Sequence, residues 1–174
     1  NHHFLFASAA MEGRSRAALT AAEAAYPAAC GPKPGDRSTG ILQQYTVLPL
    51  FALVRFGQWR VILEDTLPPD GSEPYPRAVW EYARGTAYAR TGRLPEAHAA
   101  LARLDGIAAD PALQRVKVKN INAATALVRI AQLTLQADIA AAEGRRTDAV
   151  ALLTQAVAVE DGLAVEGDVA GPVR

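Results

Sequence analysis

A glycine-anchored unit that occurs four times constrains the fold of this chain more than any other feature. In each copy the glycine follows one apolar helical run and precedes another, and a small or apolar residue stands five positions after it. Glycine adopts the left-handed backbone that ends a helix, and a small residue lets the next helix approach closely. The unit therefore predicts a helical hairpin. The four copies are Gly13-Arg14-Ser15-Arg16-Ala17-Ala18, Gly57-Gln58-Trp59-Arg60-Val61-Ile62, Gly92-Arg93-Leu94-Pro95-Glu96-Ala97 and Gly144-Arg145-Arg146-Thr147-Asp148-Ala149.

The spacing of these glycines indicates how the hairpins are arranged. Gly13, Gly57, Gly92 and Gly144 are separated by 44, 35 and 52 residues. These separations fit a period near ~34 residues that is lengthened by insertions, and a period in that range is typical of an α-solenoid. No segment shows the sustained alternation of apolar and polar residues that a strand requires. The sequence thus predicts an all-α fold, an α-solenoid of about four antiparallel hairpins.

Units three and four resemble the tetratricopeptide repeat (TPR), a paired-helix motif. In unit three, Gly85-x-x-Tyr88 is followed by Gly92, Ala97 and Leu101 in the order and spacing of that consensus. Unit four continues with Ala137, Ala140, Gly144, Ala149, Leu153 and Ala156. The chain departs from the consensus where Trp80 stands one residue before the tryptophan position and where Ile62 and Thr66 replace the usual apolar pair.

The resemblance covers about 150 residues. Two further segments, Asn1-His2-His3-Phe4-Leu5 and Tyr75-Pro76-Arg77-Ala78-Val79-Trp80, resemble parts of larger bacterial TPR-containing proteins. We therefore interpret the chain as a single TPR-like domain within a longer protein. Its hairpins are expected at about 1–27, 41–66, 77–109 and 121–160, and a tail at 161–174.

Helical runs and breaking residues predict the bounds of the individual helices. Pro49 is expected to kink or reset the third helix, and residues 31–40, rich in glycine and proline, are expected to form an exposed loop. The predicted helices are His3–Glu12, Ser15–Ala25, Ile41–Phe56, Gln58–Asp65, Ala78–Arg90, Pro95–Ala108, Ile121–Ala142 and Thr147–Val159.

Charge and composition disfavour several classes of partner. The chain carries 18 basic and 18 acidic residues, so it lacks the positive charge of a nucleic-acid binder or of a protein that binds anionic membranes. No stretch reaches the ~18 uninterrupted apolar residues of a membrane span. The single Cys30 excludes an internal disulfide, is interpreted as an apolar filler and is compatible with a reducing compartment, which favours the cytoplasm.

Known catalytic and cofactor motifs are absent from the sequence. Gly35-Asp36-Arg37 stands where a phosphate loop needs Gly-Lys-Ser/Thr, and there is no Gly-x-Ser-x-Gly, His-Glu-x-x-His or Cys-x-x-Cys motif. His2 and His3 are adjacent, so on a helix they point about 100 degrees apart and do not readily share a metal ion. We therefore expect no catalytic residue, no cofactor and no metal site.

The TPR resemblance implies that the first helix of each hairpin lines a concave groove that binds a protein or peptide segment. Arg55 and Arg90 are predicted to bind a partner's carboxylates, and Phe51 and Tyr82 to hold apolar groups. The alternative for these four residues is that the aromatic rings are core and the arginines are solvated or paired within the chain. Counted back from each glycine, the candidate residues are His3, Gln44, Phe51, Arg55, Tyr82, Thr86, Arg90, Thr134 and Asp138.

These observations predict a non-catalytic protein-binding or assembly scaffold. Two alternatives stay open at the level of sequence. The first is an enzyme or metal-dependent protein whose site lies partly outside this chain, and the second is a structural module that self-associates through its groove. The cluster Arg84, Arg90 and Arg93 is interpreted as a solvated helix face.

Overall fold

The computed structural model describes residues 2–29, 40–64, 66, 73–118 and 121–163. This part of the chain is nearly all helical, as the sequence predicts. The loop expected at 31–40, apart from Gly40, lies outside the described residues, as do Cys30 and the tail from 164 onwards. The helices are α1 His2–Met11, α2 Ser15–Ala29, α3 Gly40–Arg55, α4 Trp59–Glu64, α5 Pro74–Arg90, α6 Leu94–Ala108, α7 Ala124–Ala142 and α8 Arg146–Glu160.

The four anchoring glycines all adopt the left-handed backbone that the sequence predicts. Their φ angles are 74° at Gly13, 64° at Gly57, 76° at Gly92 and 81° at Gly144. Each glycine N–H donates to the carbonyl three residues earlier, and the next N–H donates to the carbonyl five residues before it, as in Arg93 to Tyr88 at 2.9 Å. This pair of bonds is the Schellman motif, which satisfies the last carbonyls of a helix. All four turns therefore share one backbone geometry.

The residue five positions after each glycine is buried, which confirms its predicted role. Ala18, Ile62 and Ala97 are fully buried and Ala149 is nearly so. In every copy its N–H donates to the carbonyl of the residue just after the glycine, which closes the first bond of the second helix. A side chain at this position faces the partner helix, so its size limits how closely the two helices pack.

We call α1, α3, α5 and α7 the first helices and α2, α4, α6 and α8 the second helices. The two helices of each pair contact each other, and α2, α4 and α6 each contact the first helix of the next pair. The first helices also contact one another in succession, α1 with α3, α3 with α5 and α5 with α7. Neighbours in sequence are thus neighbours in space along the whole described chain.

The largest core cluster joins α3, α5, α6 and α7. Tyr75, Leu104, Leu113 and Leu135 are fully buried in it, which removes much apolar surface from water. A smaller cluster joins α2 and α3 through alanines and Leu48. Small buried residues there let the two helices approach, since they place little volume between the backbones.

Three helix bounds differ from the sequence-based expectations. Helix α3 continues through Pro49, so the predicted reset does not occur. Helix α5 begins at Pro74 rather than at Ala78, because a proline is tolerated in a first turn where its missing N–H has no helical partner. Helix α7 begins at Ala124 rather than at Ile121 because the preceding residues pair in a short antiparallel ladder, β1 Lys117–Val118 with β2 Asn122–Ala123. A 3-10 turn, Leu113–Arg115, precedes that ladder.

Arg84 corrects the interpretation of a solvated arginine face. Its guanidinium donates to the carbonyls of Ile62 and Leu63 at the end of α4 and to the Tyr88 hydroxyl at 2.6 Å. It also lies over the Trp80 ring, 4.8 Å from the ring centroid. Arg84 therefore ties α4 to α5 by satisfying carbonyls that end the short helix. None of the described helices combines the length and apolar character needed to span a membrane.

Candidate functional site

A pocket opens on the face where successive first helices lie side by side, and we call it the inner pocket. Its volume is about 260 Å³. Helices α3, α5 and α7 all contribute side chains, and the chain just after α8 closes one end. The lining residues are Gln44, Phe51, Tyr75, Val79, Tyr82, Leu127, Val128, Ile130, Ala131, Thr134, Glu160 and Leu163.

Helical periodicity explains why these side chains converge. On α5, Tyr75, Val79 and Tyr82 stand four and three residues apart, so they share one face of the helix. On α7, Leu127, Ile130 or Ala131, and Thr134 repeat the same spacing. The pocket is therefore a product of two parallel helical stripes together with α3 and the end of α8.

The lining combines an apolar majority with a few polar tips, which is typical of ligand sites. The Tyr75 hydroxyl donates to Gln44 Oε1 at 2.7 Å and so fixes the orientation of that amide. Burial raises the pKa of the Tyr75 phenol well above its ordinary value. The Gln44 NH₂ group makes no hydrogen bond within the described part of the chain, so it is available to donate to a carbonyl in the pocket.

A polar strip continues from the pocket along α5 and α7, formed by Tyr82, Thr86, Arg90 and Asp138. Arg90 Nη2 donates to Asp138 Oδ1 at 2.6 Å. Burial raises the pKa of Tyr82 to about 12, and the nearby Asp138 carboxylate adds to this rise. The Tyr82 phenol is therefore neutral at pH 7 and offers a hydroxyl donor and acceptor rather than a phenolate.

Asp138 and Thr86 are the buried members of the polar strip. Burial raises the pKa of Asp138, and the attraction of Arg90 opposes that rise. The Thr86 hydroxyl lies beside Tyr82 and Asp138 and lowers the pKa of both, but its geometry falls short of a hydrogen bond with any described residue. Thr134, at the pocket edge, donates to the carbonyl of Ile130 at 2.8 Å. The strip thus holds one hydroxyl without a bonded partner and one compensated charge.

The structure brings most of the predicted site residues together. Gln44, Phe51, Tyr82 and Thr134 line the inner pocket, whereas Thr86, Arg90 and Asp138 form the strip beside it.

No protein-family model, curated protein or solved structure matches this chain.

Two predicted site residues lie outside the inner pocket. His3 stacks against Phe4 and Tyr45, with ring centroids 4.0 and 5.4 Å away, because α1 contacts α3 beyond the pocket. Arg55 is exposed in the last turn of α3 and makes no ion pair or side-chain hydrogen bond with a described residue. Arg90, by contrast, is paired within the chain, as the alternative interpretation expected.

Sequence reasoning missed eight lining residues, and helical spacing could have found six of them. Counting back only two to three turns from each glycine stopped before the middle of α7 and the start of α5. Extending each stripe by two more turns would have added Tyr75, Val79, Leu127, Val128, Ile130 and Ala131. Glu160 and Leu163 reach the pocket through the direction the chain takes at the end of α8, which no local pattern predicts.

The inner pocket is suited to binding rather than to acid–base chemistry. Glu160 is the one carboxylate among its lining residues, and the two tyrosines there have raised pKa values that keep them neutral. The described residues hold no group of three or more His, Cys, Asp and Glu side chains placed to bind a metal ion.

Proposed function

We propose that the chain is a TPR-like array of four hairpins that acts as a non-catalytic protein-binding or assembly scaffold. The four identical glycine turns support the array, as does the packing of α2, α4 and α6 against the next pair. Stacked hairpins of this kind create extended concave surfaces because each repeat adds a small rotation. We further propose a cytoplasmic location, without nucleic-acid or membrane partners, in keeping with the balanced charge.

The observation that carries the binding proposal is the inner pocket itself. Three successive first helices build it jointly, and four residues predicted from sequence lie in its wall. A site assembled from several repeats suits a ligand that runs across those repeats, such as a segment of another protein. Its volume of about 260 Å³ suits one apolar side chain rather than a large cofactor.

The chemistry of the wall defines the segment that we expect to bind. An apolar side chain would enter between Phe51, Val79 and Ile130, where burial of its surface drives association. The Gln44 amide and the Tyr82 hydroxyl would bond with the segment's backbone. Arg55 would bind an acidic group of the segment, because an unpaired guanidinium makes two parallel charge-assisted hydrogen bonds with a carboxylate.

Photo-crosslinking from the pocket tests this proposal. Benzoyl-phenylalanine at position 51 replaces one aromatic ring by another and reports what enters the pocket in cells of the source organism. The control places the same group at Ala99, which is exposed on α6. We expect crosslinks from position 51, absent from position 99, that map to one short segment of one protein.

A synthetic peptide of the mapped segment then measures the contribution of Arg55. By fluorescence anisotropy, Arg55→Ala should weaken binding about tenfold, since a charge-assisted bond contributes about 1.4 kcal/mol or more. Arg60→Ala is the matched control, because Arg60 pairs with Glu64 on exposed α4. Equal binding by both variants would remove Arg55 from the site. Crosslinks that do not differ between positions 51 and 99 would contradict the binding function, and catalytic turnover by the purified chain would favour the enzyme alternative.

A further inference from the structure

The described chain exposes two apolar surfaces, one on each terminal helix. The first, which we call the α8 stripe, consists of Val150, Leu153 and Val157, whose exposed fractions are 64%, 46% and 52%. The second, the α1 patch, consists of Phe4 and Leu5, which are 61% and 50% exposed. Large side chains left in water at both ends of a helical row mark interaction surfaces.

The turn glycines supply a register that relates the α8 stripe to the other second helices. Val150, Leu153 and Val157 stand six, nine and thirteen residues after Gly144. In α2, the residues six and nine after Gly13 are Leu19 and Ala22, and both belong to the cluster with Leu48 and Ala52 of α3. This face of α2 is thus covered by the next first helix.

The same face is covered in α4. Leu63 stands six residues after Gly57 and packs in the cluster that contains Ala83 and Ala87 of α5.

In α6 the corresponding positions bind α7 through polar groups. His98 Nε2 lies 2.8 Å from Glu143 Oε1, and Gln132 Nε2 donates to Asp105 Oδ1 at 2.6 Å. His98 and Asp105 stand six and thirteen residues after Gly92, so they correspond to Val150 and Val157. The α8 stripe therefore occupies the positions that bind a following first helix everywhere else in the chain.

The α1 patch is the complementary half of that contact. Phe4 stands nine residues before Gly13, and the residues at this position in α3, α5 and α7 are Leu48, Ala83 and Leu135, which are 6%, 0% and 0% exposed. Leu48 packs against Ala22 of α2, and Ala83 clusters with Ile62 of α4.

Leu135 and Ala100 of α6 both crowd the space beside Gly85. In each internal first helix this position thus lies beside the preceding second helix.

We propose that the chain self-associates head to tail, with the α1 patch of one copy packed on the α8 stripe of another. The occupant is a second copy because the two surfaces are the two halves of an interface that the chain already builds three times within itself. All five residues are apolar, so the contact leaves no buried charge unpaired. A head-to-tail contact uses two different surfaces, so copies add one after another into rings or open chains. The inner pocket plays no part in this proposal.

Single-end variants test the proposal by sedimentation velocity. Phe4→Glu blocks the α1 patch, and Leu153→Glu blocks the α8 stripe, while glutamate keeps a good helix former at both positions. The wild type should show an average mass that rises with concentration above the monomer's 18.4 kDa. Each variant alone should stay monomeric, and an equimolar mixture should form a one-to-one dimer, because each variant keeps the end that the other lacks. Circular dichroism verifies that both variants are folded.

Ala151→Glu is the matched control, because this exposed α8 residue lies on the side of the helix away from the α8 stripe. It should associate like the wild type. A wild-type chain that stays monomeric up to about 1 mM would overturn the proposal, since weaker contacts have no biological weight. Dimers formed by either single-end variant alone, or a mixture that forms none, would also overturn it, because both results exclude a head-to-tail contact.

Discussion

The Arg90 guanidinium Nη2 lies 2.6 Å from the Asp138 carboxylate Oδ1, and this bond joins α5 to α7 beside the inner pocket. The two partners differ in exposure, with 57% of the Arg90 side chain and 10% of the Asp138 side chain in contact with solvent. Burial raises the pKa of Asp138 in spite of Arg90. The ionised carboxylate therefore costs folding free energy, and Arg90 reduces that cost.

The pH dependence of stability should reveal this cost. Because the pKa of Asp138 is raised on folding above its ordinary value of 3.8, its contribution to stability is most favourable below pH 3.8. That contribution declines as the pH rises from there through the raised value and is constant above it. Asp138→Asn, which mimics the protonated form, should be at least as stable as the wild type at pH 7. Thermal unfolding at several pH values checks this, and a variant that is less stable only at neutral pH would reverse the sign.

Arg90→Ala should destabilise the chain by about 1 kcal/mol at pH 7, a value already discounted for the exposure of the arginine. The loss arises because Asp138 stays buried without its compensating charge. In the Asp138→Asn background the same change should cost less. Urea unfolding of the four chains in a double-mutant cycle measures the difference, and equal losses in both backgrounds would show that the pair is uncoupled.

Gly85→Ala should destabilise the chain by roughly 1 to 3 kcal/mol, as overpacking does. A Cβ at position 85 would lie 2.5 Å from Leu135 Cδ2 and 3.2 Å from Ala100 Cβ, in the buried contact between α5, α6 and α7. Gly106→Ala is the control, because nothing lies within 4 Å of its Cβ position in α6. That change should stabilise by about 0.5 to 1 kcal/mol, since glycine disfavours a helix. Similar unfolding midpoints for the two variants would contradict the close contact.

Gly92→Ala tests the backbone of a hairpin turn without any change in packing. Its φ of 76° is left-handed and no atom lies within 4 Å of an added Cβ, so only conformational strain should act. We expect a loss of about 1 to 2 kcal/mol. Gly92→Asn should lose less, because asparagine tolerates this conformation better. Chemical denaturation ranks the three chains, and an alanine variant as stable as the wild type would count against strain.

Ala97→Trp should destabilise strongly, by roughly 3 kcal/mol or more, because Ala97 is fully buried where α6 faces α5. Ala99→Trp, two residues further along the same helix but exposed, should change stability by less than about 0.5 kcal/mol. Differential scanning calorimetry compares the two. An unfolding temperature for Ala97→Trp that matches the wild type would show that this position tolerates a large ring.

The hairpin turns were predictable from sequence because their cause is local. A left-handed glycine and a small residue five positions later satisfy the backbone by themselves, so Gly13, Gly57, Gly92 and Gly144 identify the turns without knowledge of the rest of the fold. Helix bounds were harder where other causes act. Pro74 and Pro76 read as breakers, yet they belong to the first turn of α5, and the ladder before Ala124 depends on pairing between residues several positions apart.

The candidate site was partly predictable for the same reason. Counting from a glycine places Tyr82, Thr86, Arg90, Thr134 and Asp138 on facing stripes, because α5 and α7 keep their helical period over many residues. The count does not give the curvature along the row, so it placed His3 and Arg55 with the pocket residues although neither lines it. It also gives no information on the pairing of Arg90 with Asp138, which depends on the separation of two helices.

Helix α8 makes its main described contacts with α7 alone, whereas α5 contacts α3, α4, α6 and α7. A pull on the C-terminal end would therefore load one interface at a time, first that of α8 with α7. We expect optical tweezers to record extension in steps, each about one hairpin long, because stacked repeats contact only their neighbours. The same organisation makes a row of hairpins a spring that lengthens by unpeeling from its end while its centre stays folded.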